Sequence, residues 1–345
     1  MRTKKQGNQV VVIEQRVGDV AVSTVEHPPP LITNSGGAAK NAWRDFFEAY
    51  YPNPHTRRSY NTAAKQFCSW CEQQSLALVQ VRAGDVGRYL RGLPHSIGSK
   101  KVHRAANKKL FDLLVERHVC LINPWSAART EKYKVKRGKT PRIMPDEVSH
   151  VLQTISRHTP AGKRDHTIIG VLAGCGVRTQ SIEALRRKHY IGRAGARQLQ
   201  FVFKGGNNDT IEVRADLEAW IDDYLKSFGM LDADPETPFF RPFLRKTGQL
   251  RPWLPATREQ EERGRLAAND VNRMVKRRFR DAEIRLVLSA HSFRVNAGTD
   301  LIEQGVPIED VQEFYGHADA RTTKVYDHSD RKVTRNLVER IRLAG

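Results

Sequence analysis

Residues 291–326, HSFRVNAGTDLIEQGVPIEDVQEFYGHADARTTKVY, hold four side chains whose types and spacing decide how the chain is read. His291 and Arg294 are three apart, so a helix places them on one face. His317 follows Gly316 at a helix break, and Tyr326 comes nine positions later. Tyr315 is a second tyrosine nearby, but it sits in the apolar phrase VQEFYGH and is expected to pack.

Upstream, two more polar side chains occupy unusual contexts. Arg178 follows Gly174-Cys175-Gly176-Val177 in the mostly apolar RDHTIIGVLAGCGVRTQSIEAL. That stretch reads as a buried helix whose glycine bend lifts the guanidinium clear. Lys204 sits in RQLQFVFKGGNNDTIEVRA, read as a strand, a turn from Gly205 to Asp209 and a second strand. Two arginines, two histidines, a lysine and a tyrosine form a particular chemical set. It contains no carboxylate pair for Mg²⁺, no P-loop lysine and no HExxH. Two arginines can hold one phosphodiester by forked hydrogen bonds and neutralise its non-bridging oxygens. Charge there grows in a pentavalent transition state, which such contacts favour over the ground state. A tyrosine hydroxyl can attack phosphorus and split one displacement into two. With an ordinary pKa near 10 it needs nearby positive charge or a base. A lysine of lowered pKa can protonate a departing sugar oxygen.

Composition agrees with an anionic substrate. Fifty-eight Lys and Arg against 38 Asp and Glu leave a net charge of +20 over 345 residues. A nucleic acid is the leading partner for such an excess, with a charged membrane surface as the other candidate. No apolar run reaches the roughly 18 residues that a membrane span needs. The opening MRTKKQGNQVVVIEQRVGDV is basic but lacks a long apolar core and a cleavage site, so it does not read as a secretory signal. Four cysteines are too few for a disulfide scaffold. A cytoplasmic, DNA-associated protein is the default expectation. Cys68 and Cys71 form a C-x-x-C with no second pair, so they read as core residues of a helix, like Cys120 and Cys175.

Length suggests two domains and an appendage. Residues 1–40 read as the appendage, partly ordered, with a hairpin from Val10 to Val25 and breaks at Pro28-Pro29-Pro30 and Gly36-Gly37. Residues 41–128 are helical. TRRSYNTAAKQFCSWCEQQ puts Tyr60, Ala64, Phe67 and Cys71 on one face, and a later helix is apolar at Ala106, Leu110, Leu113 and Leu114. Asn123-Pro124 closes that run. Residues 129–143 are a basic linker, suited to a clamp around a duplex. The second domain runs from 144 to 330 and is helical with one small hairpin sheet. The segment 331–345 places Val333, Leu337 and Ile341 four apart, an amphipathic helix that either covers its own domain or docks on a neighbouring protomer.

The ordered set resembles the tyrosine recombinases, or phage-type integrases, with a Xer-like layout. Their pattern is matched by GVR at Arg178, FKGG at Lys204, HSFR at His291 and Arg294, GH at His317, and Tyr326. The gaps of 23 residues from Arg294 to His317 and nine from there to Tyr326 also fit. The first domain is similar to the family's core-binding domain through TRRSYNTAAKQFCSWCEQQ and the V-x-x-x-D-V-x-x-Y-L phrase from Val81 to Leu90. The resemblance implies a mainly α protein: an N-terminal helical, SAM-like core-binding domain, then an α+β catalytic domain of the DNA breaking–rejoining type with a small antiparallel sheet. It implies that Tyr326 attacks a DNA phosphodiester and leaves a 3′-phosphotyrosine. Arg178, Arg294 and His317 would bind the scissile phosphate, His291 would assist proton transfer or phosphate binding, and Lys204 would be the general acid. It implies strand exchange through a Holliday junction by a homo-oligomer, a tetramer on two duplexes, without ATP, metal or other cofactor. An accessory directionality factor and a mobile-element setting belong to the same expectation.

DNA contacts in the first domain are expected from Arg57, Arg58, Lys100, Lys101, Arg104 and Lys108, and in the linker from Lys132, Lys134, Lys136 and Arg137. Two features depart from the family pattern. Ser181 stands where an acidic residue is usual, with Glu183 nearby, and the region from Phe240 to Val271 is longer and more basic. Two other readings stay open: a DNA-binding protein of this fold that has lost catalysis, and a type IB topoisomerase-like enzyme.

Overall fold

A computed structural model describes residues 27–49, 51, 53–130, 138, 140–202, 208–244, 246–253, 264–284, 288–316, 320–324 and 326. The chain divides into two units, Met1–Lys134 and Val135–Gly345. The described part is mainly helical with a small antiparallel sheet, as the sequence implies.

The first unit contains α1 (Pro30–Thr33), α2 (Gly37–Glu48), α3 (Pro54–Gln73), α4 (Ala83–Gly92) and α5 (Ile97–Glu116). Local chemistry starts α3, α4 and α5. The Asn53 side chain accepts the amide hydrogens of His55 and Thr56 ahead of α3, with Pro54 in the first helical position. Asp85 accepts from the Arg82 amide at 2.8 Å to cap α4. The Ser96 hydroxyl accepts from the Ser99 amide to cap α5. The 3.6-residue period then directs Ala64, Phe67 and Cys71 of α3, and Ala106, Leu110, Leu113 and Leu114 of α5, into one core. Cys68 and Cys71 are buried free thiols in that core, and Cys120 and Cys175 are also buried and free. Burial pushes the Cys71 thiol up to about 12, so it is a packing group rather than a nucleophile.

Two boundaries differ from the sequence reading. Pro28 and Pro29 lie outside any element, but Pro30 opens α1, and Leu31, Ile32 and Ala39 are buried in the first core. The Leu31 amide also donates to Glu72 Oε1 at 2.7 Å. The part of the appendage from 30 to 40 therefore belongs to the helical unit, because apolar burial outweighs the local signal. The Val10–Val25 hairpin lies outside the described residues. At the other end, α5 stops at Glu116 rather than running to Asn123-Pro124, and His118 takes a left-handed conformation just beyond it. Asn123 instead bonds back to the Lys108 carbonyl at 2.8 Å.

The second unit begins inside the expected linker. Ile143 is fully buried in its core, and Arg142 pairs with Glu303 at 2.7 Å. Residues 131–137 and 139 of the linker lie outside the described residues. Then come α6 (Pro145–Thr154), α7 (Pro160–Cys175) and α8 (Thr179–Ala184). These precede strands β1 (Tyr190–Arg193), β2 (Ala196–Val202) and β3 (Asn208–Glu212). Helices α9 (Ala215–Ser227), α10 (Ala268–Asp281), α11 (Ala290–Glu303), α12 (Ile308–Phe314) and α13 (Ala320–Lys324) complete the described elements. The sheet order is β1-β2-β3, all antiparallel, with Tyr190 opposite Leu199 and Gln200 opposite Thr210. The sequence reading finds the β2–β3 hairpin but not β1, whose four residues are too short for a period-two signal.

Helix α7 is buried along most of its length, and α9 and α11 pack against it. Near its start, Asp165 is wholly buried and accepts from three arginines. Arg164 donates to Oδ1 at 2.7 Å, and Arg277 and Arg278 of α10 donate to Oδ2 at 3.0 and 2.8 Å. That network ties α7 to α10.

Candidate active site

The glycine bend read from the sequence is present. Helix α7 ends at Cys175, and Gly176 reverses the chain in the left-handed region, with φ 58° and ψ 23°. A side chain there would be strained, and its Cβ would also come within 2.8 Å of the Tyr315 ring. Arg178 follows at the N-cap of α8, half-buried.

Arg294, on α11, is wholly buried. Its Nη1 donates to the Gly176 carbonyl at 2.7 Å and its Nη2 to the Tyr315 carbonyl at 3.2 Å. The guanidinium lies over the Tyr315 ring, 3.9 Å from its centroid. The Tyr315 hydroxyl donates back to the Arg294 carbonyl at 2.7 Å, and burial raises its pKa. Tyr315 therefore packs, as its apolar phrase suggests, and acts as a floor for Arg294.

Tyr326 follows α13 and is nearly buried. Its amide donates to the Thr323 carbonyl at 2.9 Å, and its carbonyl accepts from Thr299 Oγ1 of α11 at 3.2 Å. Its ring lies 5.4 Å from that of Tyr315. Gly298 makes this approach feasible, since a Cβ there would sit 3.2 Å from Tyr326 Cδ2 and 2.8 Å from the Tyr315 ring. Arg294 and Tyr326 share a side-chain hydrogen bond, in which the guanidinium donates to the phenol oxygen.

The electrostatics are one-sided. Burial is the main cause that lowers the Arg294 pKa, and the positive charge of Arg178 adds to it; the two tyrosines oppose the shift. Arginine remains charged regardless. His291, one turn before Arg294 and exposed at its outer edge, is held below the ordinary histidine pKa by desolvation, then by Arg294 and Arg178. Among the described residues, the groups acting on His291 are Arg294 and Arg178, and those acting on Arg294 are Arg178, Tyr326 and Tyr315. A buried cation beside a second cation and an imidazole, with neutral groups for its described partners, is arranged for an external anion.

The structure thus brings Arg178, His291, Arg294 and Tyr326 together. Lys204 and His317 lie outside the described residues. Ser181 is buried on α8. Glu183 does not take its place: one oxygen accepts the Ala268 amide at 3.0 Å to cap α10, and the other is 3.5 Å from Arg265. The sequence reading missed Gly298 and Thr299. Both stand in the motif phrase RVNAGTD, where a glycine inside a helix signals a close approach.

The first-domain basic residues differ in exposure and in their described contacts. Arg58 and Lys101 are exposed and Lys100 is half-buried. Arg57 donates to the Tyr51 carbonyl at 3.1 Å, Arg104 to the Ala128 carbonyl at 2.6 Å, and Lys108 pairs with Asp112 at 3.0 Å. These three have structural partners within their own unit. Lys132, Lys134, Lys136 and Arg137 lie outside the described residues.

Comparison with known proteins supplies the frame. The model of the phage integrase family matches residues 141–332. Tyrosine recombinase XerC of Vibrio atlanticus (strain LGP32) is 25% identical over 223 residues, 65% of this chain and 64% of that protein, just under two thirds of its length. Tyrosine recombinase XerC 2 of Ralstonia nicotianae is 26% identical over 292 residues, 79% of this chain and 76% of that protein. Among solved structures, the XerH site-specific recombinase bound to difH in a pre-cleavage complex superposes with a TM-score of 0.59 at 19% identity, covering 86% of this chain and 81% of that one. A lambda integrase tetramer bound to a Holliday junction gives 0.60 at 14% identity, covering 89% and 84%. At these identities the two structures establish likeness of fold.

Proposed function

The chain belongs to the phage integrase family, and from that premise we propose that it is a site-specific DNA recombinase that breaks and rejoins strands through Tyr326. The observation that carries the reading is the interaction of the buried Arg294 guanidinium with the Tyr326 side chain, beside Arg178. In this mechanism a scissile phosphate enters between the two guanidinium groups, which hold its non-bridging oxygens and favour the pentavalent transition state. The Tyr326 oxygen attacks phosphorus, the 5′-oxygen leaves, and the enzyme keeps the 3′-phosphate. A 5′-hydroxyl from a partner duplex then displaces the tyrosine. One phosphoester bond forms for each one broken, so neither ATP nor an oxidant enters. His291, uncharged at neutral pH, serves proton transfer, and Lys204 and His317 complete the set as general acid and phosphate ligand.

The XerH complex with difH and the lambda integrase tetramer on a Holliday junction support a DNA substrate and an oligomer. A cavity of about 770 Å³ in the second unit, walled by α6, α7, α9, α11 and α12, suits the amphipathic 333–341 face of a second copy. Leu152, Leu217, Leu301 and Val311 line it.

A nicked suicide duplex tests the chemistry. Wild-type protein should form a covalent adduct that Tyr326→Phe abolishes, and absence of any adduct on cleavable sites favours the non-catalytic reading. Strand exchange between two sites, rather than relaxation alone, separates a recombinase from a topoisomerase. Deletion of residues 331–345 should leave single-site binding and abolish two-site complexes in native gels; persistent two-site complexes refute the docking.

A further inference from the structure

Tyr315 stands at the end of α12, wholly buried. It and Arg294 clamp each other through both backbone and side chain. Arg294 Nη2 donates to the Tyr315 carbonyl at 3.2 Å, and the Tyr315 hydroxyl donates to the Arg294 carbonyl at 2.7 Å. Between these bonds the guanidinium lies over the ring, 3.9 Å from its centroid. Fixing a long arginine stem in one rotamer costs side-chain entropy, and here the stem is held before any phosphate arrives.

The ring sits in a slot built from two distant segments. Gly176 lies past the end of α7, and Gly298 is on α11. A Cβ at Gly176 would come within 2.8 Å of Tyr315 Cε1, and one at Gly298 within 2.8 Å of Cε2 and 2.9 Å of the hydroxyl oxygen. Both edges of the ring therefore depend on a glycine. The same ring lies 5.4 Å from that of Tyr326. Filling a core needs neither a hydroxyl bonded to an arginine's backbone nor a ring stacked beneath its charge. We propose that Tyr315 is a positioning residue for strand cleavage: its ring and hydroxyl hold the Arg294 guanidinium where it meets the scissile phosphate beside Tyr326.

This role rests on the reading that Tyr326 cleaves DNA, and deepens it by naming what sets Arg294 in place. Tyr315 acts through Arg294 and touches no reacting atom. Its hydroxyl is engaged by the Arg294 carbonyl, so it neither attacks phosphorus nor protonates the leaving oxygen. Displacing a group that orients the substrate by about 1 Å costs about 10²-fold in rate. Duplex affinity is spread over many phosphate contacts and changes little when one of them shifts. Tyr315 therefore governs the rate of cleavage rather than the binding of DNA.

Single-turnover cleavage of the nicked suicide duplex by the full chain, with duplex affinity measured in parallel, tests the proposal. Tyr315→Phe keeps the ring and removes only the hydroxyl. Its rate at saturating duplex should fall about tenfold with affinity unchanged. Tyr315→Leu removes the ring as well and should slow cleavage by about 10²-fold; if its melting temperature shows that it does not fold, the phenylalanine variant decides. A double-mutant cycle supplies a readout that a packing role would not move. In an Arg294→Lys background Tyr315→Phe should slow cleavage no further, because no forked guanidinium is left to hold. Losses that multiply in the double variant overturn the proposal, and so does a wild-type rate in Tyr315→Phe. Weakened duplex binding at an unchanged saturating rate overturns it too. If the wild type forms no adduct on cleavable sites, the recombinase reading falls and takes this role with it. If the wild type cleaves and only the variants behave otherwise than stated, the recombinase reading stands and the role of Tyr315 alone is refuted.

Discussion

At the start of α7, three guanidinium groups close around one carboxylate; past its end, Arg178, Arg294 and His291 act on one another, and the described hydrogen bonds of Arg294 go to carbonyls. In the first cluster Asp165 is buried and each of Arg164, Arg277 and Arg278 bonds it, so the charges meet partners inside the fold. In the second, Arg294 is just as buried, yet its bonds go to the neutral carbonyls of Gly176 and Tyr315 and to the Tyr326 phenol. Residue type is the same in both. The contrast teaches that equally buried arginines can be placed differently: one group is bonded to a carboxylate inside the fold, while Arg294 bonds carbonyls at the site where the proposed function places a phosphate.

The sharpest way to break this contrast is at Asp165. Asp165→Asn leaves three arginines around a neutral amide, and stability should fall by about 3–5 kcal/mol in urea unfolding. A variant as stable as wild type would show that the first cluster is not a structural pair at all. Arg178→Gln should do the reverse. Cleavage of a nicked duplex should slow by about 10²–10³-fold, about 2.7–4 kcal/mol of transition-state stabilisation. Thermal stability should hold or rise, since the change relieves repulsion on Arg294. A large drop in melting temperature would place Arg178 with the structural arginines.

The smallest effect is a titration. His291 has a lowered pKa in the free protein because Arg294 and Arg178 add to its desolvation. Orthophosphate between those arginines should therefore raise it, read in NMR of the imidazole protons. His166 serves as the control. Burial first, and then Arg157, lowers its pKa to about 4, and phosphate should leave it unmoved. Because the folded pKa of His166 lies below the unfolded value near 6.5, the unfolded chain takes up the proton first as pH falls. Its contribution to stability is complete above about 6.5 and is lost on the way down to about 4. Equal movement of both histidines would remove the basis for locating the anion between the arginines.

Much of the candidate site was legible because its signals are local. The i,i+3 spacing of His291 and Arg294, the glycine bend before Arg178 and the apolar phrase around Tyr315 each depend on a few neighbouring residues. The fold's helices were legible for the same reason, through the periodicity of α3 and α5. What escaped depends on distant contacts. The burial of Leu31 and Ile32 overrode the proline signal, and the short β1 had a partner strand but no pattern of its own. Glu183 looked like a substitute for the missing acid at Ser181, but it caps a helix that begins at Ala268.

By itself the sequence determined the inventory: a strongly basic chain, an ordered set of arginine, histidine, lysine and tyrosine side chains, and most of the helices that carry them. Helix periodicity and residue chemistry are properties of short windows, so they can be read without coordinates. Only the tertiary structure decided which cations meet a carboxylate. The bond from Arg294 to Gly176 and the contact with Tyr326 join segments far apart in the chain. No short window contains both ends of such an interaction, and so the difference between an arginine bonded to a carboxylate and one bonded to carbonyls arises only when α7 and α11 pack.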